Sequence, residues 1–236
     1  MNRDLARRAT AEALGTALLV AIVVGSGIFA QRLSPGNIGL QLLENSIATG
    51  AGLVALILAL GPVSGAHFNP VVTLADRILG GNTSGEAGVY AVAQVAGGCL
   101  GAIVANLMFE LPAATFSTHT RSSGALWLGE FVATFGLVLV ILGVVRAGRA
   151  SAAAFAVGGY IAAAYWFTSS TSFANPAVTV ARALTNTFAG IEPGSVPMFV
   201  VAQIGGALAA VALGRFLFPG LPAANLVVPH EAMEES

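Results

Sequence analysis

Two short stretches constrain this chain more than anything else in it. They are Asn69-Pro70-Val71-Val72-Thr73-Leu74-Ala75-Asp76 and Asn175-Pro176-Ala177-Val178-Thr179-Val180-Ala181-Arg182. Each begins with Asn-Pro and continues as an apolar run. Asn is a favoured helix N-cap, and Pro is favoured at the first helical position, where an N–H would have no intrahelical partner. Each copy therefore reads as a helix that starts abruptly at its Asn. A run of roughly 11 residues makes about 16 Å of helix. That is about half of a ~30 Å hydrocarbon core. Half-length helices in corresponding places of two chain halves point to an inverted repeat with a site at the membrane midplane.

Composition agrees. Of 236 residues, 56% are hydrophobic and 9% are charged, whereas soluble domains carry about 25% charged residues. The chain reads as a polytopic, all-α membrane protein in a lipid bilayer. Its net charge of −1 gives no reason to expect nucleic acid as a partner. A single cysteine, Cys99, forms no internal disulfide and reads as an ordinary small apolar residue. The 29 glycines suit close helix packing in a membrane. The length accommodates six full spans and two half spans in one domain, 1–236. The repeat halves lie at about 1–110 and 124–218, with a short solvated tail at 219–236 that carries Glu231, Glu234 and Glu235.

Apolar runs place the full spans at about 11–30, 44–60, 86–109, 124–145, 150–167 and a sixth ending near 218. Residues 31–43 and 110–123 read as loops on one side. The run Gly61-Pro62-Val63-Ser64-Gly65-Ala66-His67-Phe68 is expected to break helix and turn the chain back toward Asn69. The half-helices are expected to end near 79 and 187. An odd number of spans per half inverts the second copy, so the two half-helices meet from opposite faces. This topology puts Arg3, Arg7, Arg8, Arg77, Arg146, Arg149 and Arg215 on one side and Arg32, Arg121 and Arg182 on the other. The richer side is expected to be cytoplasmic, with both termini there.

Each half-helix aims a positive end, equivalent to roughly +0.5 charge, at the midplane. Two such ends form a barrier to protons and cations in the middle of a pore. Asn69 and Asn175 can cap their own helices through the side-chain oxygen and turn their amide NH₂ groups into the pore. As single copies they would be plain N-caps; as a symmetric pair they read as pore donors. Glu12 and Glu130 sit at matching places in apolar spans, where a charge is expensive. They read as acceptors for the bare backbone of the re-entrant loops, or alternatively as coupling sites of a transporter. His67 is open between pore lining, gating and loop packing. His119 and His230 fall in a loop and the tail. No metal set, phosphate loop or nucleophile–base arrangement is evident, so neither a cofactor nor an enzyme is expected.

The run Ser64-Gly65-Ala66-His67-Phe68-Asn69-Pro70-Val71-Val72-Thr73 closely resembles the first signature of the aquaporin (major intrinsic protein) family, and Asn175-Pro176-Ala177 resembles the second. Glu12, Glu130, Gln94 and Gln203 extend the resemblance over nearly the whole chain. It implies an aquaporin-like fold, a homotetramer in the bacterial inner membrane with one pore per subunit, and passive passage of water and small neutral solutes. Members of the family normally carry Arg directly after Asn-Pro-Ala, at the narrowest point of the pore. This chain has Val178 there, with Arg182 one turn further on and expected to face a different neighbour. Counting the family's spacing onto this chain places the other constriction positions at Thr49, Ala163 and Ser172. A set of Thr, Ala, Ser and Val implies a wide constriction for glycerol- or urea-like solutes and undissociated arsenite. Bacterial relatives with a non-Arg residue here resemble channels associated with arsenic resistance, methylated arsenicals included. Competing readings are a proton- or ion-coupled secondary transporter using Glu12 and Glu130, and a structural protein with a closed pore.

Overall fold

A computed structural model describes residues 3–218 of the chain. The tail at 219–236, including His230 and its three glutamates, lies outside the described residues. The described helices are α1 (Arg3–Leu33), α2 (Ile38–Ser64), α3 (Pro70–Leu79), α4 (Ser84–Met108), α5 (Gly124–Arg146), α6 (Ala153–Phe167), α7 (Pro176–Arg182) and α8 (Val196–Leu217). Short 3₁₀ turns at Ala150–Ala152 and Pro193–Ser195 lead into α6 and α8. With those turns included, α1, α2, α4, α5, α6 and α8 are long and apolar enough to cross a membrane. Their outward faces expose Leu14, Leu58, Leu100, Leu128, Phe155 and Leu208. Such faces match hydrocarbon, since lipid tails are as apolar as leucine.

The chain alternates sides as it crosses. On the side where α1 begins, Arg215 near the end of α8 donates to the Ile78 carbonyl at 2.9 Å. On the opposite side, Arg32 at the end of α1 donates to the Phe109 carbonyl at 2.7 Å. The two halves are knit by glycine. A Cβ on Gly97 or Gly101 of α4 would collide with the carbonyls of Ala13 and Ala17 in α1. In the second half, a Cβ on Gly206 of α8 would collide with the Phe131 carbonyl of α5. Gly50 and Gly158 meet each other's backbone where α2 crosses α6. Membrane helices gain little from apolar contact alone, so backbone proximity at small residues holds them together.

Three boundaries depart from expectation. The first loop is reduced to 34–37, because Asn37 caps α2 by accepting from the Leu40 N–H at 3.0 Å. The second span runs past its expected end near 60, and α2 carries Pro62 inside it at the loss of the hydrogen bond that an N–H there would donate to the Leu58 carbonyl. The helix runs on to Ser64 and ends when Gly65 turns left-handed at φ 85°. The second half-helix stops at Arg182 instead of near 187. The carbonyls of Ala183 and Leu184 accept from Ser117 and Thr115 at 3.1 and 3.0 Å. The donors come from the connection between α4 and α5, and the carbonyls they occupy are no longer available to further helical turns.

Candidate pore and its half-helix junction

The loops that lead to the two Asn-Pro pairs are built alike. Ala66 and Phe68 have left-handed φ values of 50° and 48°, and Ser172 and Ala174 have 51° and 48°. Left-handed backbone costs a non-glycine residue about 1–2 kcal/mol. The conformation turns successive N–H groups toward one carboxylate. Glu12 accepts from the N–H of His67 at 3.0 Å and of Phe68 at 2.7 Å, and from Ser64 Oγ at 2.6 Å. Glu130 accepts from the N–H of Phe173 at 2.8 Å and of Ala174 at 2.9 Å. Gln94 braces Glu12 at 2.7 Å, and Gln203 braces Glu130 at 2.6 Å. The same amides reach Thr73 and Thr179, whose hydroxyls bond back to the Asn69 and Asn175 carbonyls. Both carboxylates are fully buried.

At the midplane each Asn does two things. Asn69 Oδ1 accepts from the Val71 N–H at 3.1 Å, and its Nδ2 donates to the Ala174 carbonyl at 2.7 Å. Asn175 Oδ1 accepts from Ala177 and Val178 at 2.9 and 3.2 Å, and its Nδ2 donates to the Phe68 carbonyl at 2.8 Å. Each amide thus ties the loop of the other half. This refines the expectation that both amide hydrogens face the pore, because one hydrogen of each is engaged across the junction.

A narrow corridor runs past this junction. Its volume of about 50 Å³ holds a short file of waters, at about 10–15 Å³ for each by the same measure. The lining obeys the repeat. Leu19 is matched by Leu137, Val23 by Ile141, Leu53 by Ile161, and Ile57 by Tyr165. Thr49 is matched by Val157, Ala66 by Ser172, His67 by Phe173, and Val72 by Val178. His67 also has its Nδ1 3.1 Å from Thr73 Oγ1 and its ring edge-on to Tyr90.

Of the expected constriction set, Thr49, Ser172 and Val178 line the corridor and Ala163 does not. Ala163 is exposed on the outer face of α6. Helical spacing is the reason: the corridor face of α6 is Val157, Ile161 and Tyr165, four residues apart, and Ala163 falls between them on the other side. The hydroxyls of Tyr165 and Thr49 lie 3.1 Å apart. The wall therefore contains a large aromatic residue that the spacing count missed. Its signal was present, because Val157-x₃-Ile161-x₃-Tyr165 repeats the Thr49-x₃-Leu53-x₃-Ile57 face of α2.

Arg182 also departs from expectation. It lines the corridor, although it is 2% exposed overall. Its guanidinium carbon sits 3.3 Å from the Phe173 ring centroid, and Nε donates to the Ala189 carbonyl. Elsewhere, Cys99 is half-buried in α4 and His119 is exposed. No group of residues suited to hold a metal ion occurs among the described residues.

Residues 2–169 match the family model described as major intrinsic protein. The chain is 53% identical over 230 residues to the aquaglyceroporin AqpS of Rhizobium meliloti (strain 1021), covering 97% of this chain and 98% of that protein. It is 32% identical over 245 residues to the probable aquaporin AqpM of Archaeoglobus fulgidus, covering 92% and 99%. The X-ray structure of the aquaglyceroporin from Plasmodium falciparum shares the fold, with a TM-score of 0.68 at 21% identity over 92% of this chain and 96% of that one. Two Asn-Pro half-helices that meet inside a six-span bundle and a family match over most of its length together place this chain in the major intrinsic protein family, whose members are membrane channels and not enzymes.

Proposed function

We propose that the protein conducts water and small neutral hydroxylated solutes passively, with glycerol the leading case. The observation that carries this reading is the mixed lining of the corridor. Thr49, Tyr165, Asn69 and Asn175 bring polar groups to it. Leu19, Val23, Leu53, Ile57, Leu137 and Ile141 bring aliphatic ones, beside His67, Phe68, Phe173 and Arg182. A polyol can set its hydroxyls against the polar groups and its carbons against the aliphatic ones, so desolvation is compensated along its length. The relative AqpS is named an aquaglyceroporin, which agrees with this class of solute. Val178 leaves room beside the second half-helix that a longer side chain would fill. Undissociated arsenous acid, a small neutral trihydroxy solute, and urea belong to the same size class. Methylated arsenicals are the bulkier extension of it.

The protein is taken to work as a homotetramer in the bacterial inner membrane, with both termini on the Arg-rich, cytoplasmic side. The coupled-transporter reading is not favoured. Glu12 and Glu130 are fully buried, occupied by backbone and glutamine donors, and absent from the corridor lining.

Stopped-flow light scattering on proteoliposomes tests the proposal, with water, glycerol and urea run side by side and arsenous acid influx followed separately. Fast water and glycerol flux that ignores an imposed proton gradient is the expected result. Water flux with no solute flux would reduce the protein to a water channel. Flux that saturates and collapses with the proton gradient would overturn the passive reading.

A further inference from the structure

Arg182 stands apart in the corridor. It is the seventh residue after Asn175, and its counterpart after Asn69 is Asp76. The other lining residues have repeat counterparts that also line, whereas Asp76 does not. The repeat therefore places a cation in the wall at one end and withholds the matching anion at the other. Three contacts describe that cation. Its Nε donates to the Ala189 carbonyl, its guanidinium carbon lies 3.3 Å from the centre of the Phe173 ring, and Arg121 approaches the same ring at 5.2 Å. No ion pair to Arg182 occurs among the described residues. The buried Glu130 carboxylate is engaged with Phe173, Ala174 and Gln203.

A buried guanidinium without a carboxylate partner is expensive at membrane depth. Its Nη groups make no hydrogen bond to protein among the described residues, and they are not sealed from the corridor. Ser172, which also lines the corridor, has a buried Oγ with no hydrogen-bond partner. The Nη groups of Arg182 are satisfied only by something in the lumen: water, or an oxygen of a passing solute.

We infer that Arg182 is the charge-selecting residue of this pore. It delivers a fixed, unpaired guanidinium into the corridor from the far end of the second half-helix, while the position directly after Asn-Pro-Ala holds the apolar Val178. The inference rests on the channel reading above. Phe173 holds the guanidinium in place through the cation–ring contact, and Arg121 adds positive charge near the same ring. The guanidinium binds oxygen atoms of neutral solutes, and its charge repels cations. Size selection and charge selection are thereby divided: Val178 sets room, and Arg182 sets sign.

The test compares Arg182→Gln, Arg182→Lys and the double variant Val178→Arg/Arg182→Gln in proteoliposomes. Water flux is followed by light scattering, and potassium and proton leak by valinomycin-free dye assays. Removing a unit charge a few Å from the path of an ion should raise cation leak relative to water flux by about tenfold or more in Arg182→Gln. Arg182→Lys should keep the exclusion, and the double variant should restore it. A water-conducting Arg182→Gln whose cation leak is unchanged overturns the inference. If Arg182→Gln does not fold, Phe173→Leu carries the test, because it keeps Arg182 and its bond to Ala189 but removes the ring that fixes the guanidinium. Leak should then rise in the same direction, and unchanged leak in conducting Phe173→Leu overturns the inference. Absence of water flux in the unaltered protein would instead count against the channel reading itself.

Discussion

The hydroxyls of Thr49 and Tyr165 lie 3.1 Å apart where α2 meets α6, and both residues line the corridor. This pair, and not a methyl group at Ala163, contributes to the corridor wall. Tyr165→Ala should therefore raise glycerol permeability several-fold relative to water, and Tyr165→Phe should lower the preference for hydroxylated solutes over water without enlarging the passage. Ala163→Leu, on the outer face, should leave both fluxes as they are. Paired stopped-flow traces of the three variants check this. A strong change in Ala163→Leu would restore Ala163 to the constriction.

Val178 occupies corridor space beside the Asn175 cap. Replacing it with Arg should narrow the passage. Glycerol flux should fall about tenfold, which needs only ~1.4 kcal/mol of added barrier, while water flux falls much less. Competition between water and glycerol fluxes in the same liposome preparation reads the ratio directly.

Glu130 accepts two backbone N–H groups and one amide N–H in a fully buried setting. Glu130→Gln places an NH₂ among donors and leaves one loop N–H without an acceptor. A buried unsatisfied donor costs about 1–3 kcal/mol. The variant should lose thermal stability in detergent and conduct less, with no new dependence on a proton gradient. Glu12→Gln should behave in the same way. A stable variant with altered pH coupling would point to transport chemistry.

Gly206 has no room for a Cβ against the Phe131 carbonyl, and the nearest atoms are backbone. Gly206→Leu should force α8 away from α5 at a cost of about 1–3 kcal/mol or more. Gly159, with open space around its missing Cβ, is the control, and Gly159→Ala should be silent. Yield of monodisperse protein and melting temperature separate the two.

Much of this architecture can be read from residue order. The Asn-Pro pairs are local signals, because an N-cap and a helix-starting proline act within one turn. The doubled pattern of Glu12 with Gln94 and Glu130 with Gln203 marks the inverted repeat without any knowledge of packing. The end of the second half-helix was not legible in this way. It depends on Thr115 and Ser117 arriving from a distant connection to take the carbonyls of Leu184 and Ala183. The end of α2 was displaced by a few residues for another reason: the helix continues through Pro62, which lacks a donor, and stops only where Gly65 turns left-handed.

The sequence by itself determined the class of protein, the six spans, the two half-helices and the residues that brace them, since hydropathy, caps and repeats are properties of neighbours along the chain. Tertiary structure alone decided which side chains face the lumen. Rotation of α6 about its axis puts Tyr165 in the wall and Ala163 outside it, and a spacing count carried through a helix cannot resolve that rotation. It also decided that Arg182 reaches the corridor. Phe173 and the Ala189 carbonyl, one from the loop before the half-helix and one from the segment after it, fix where the guanidinium points.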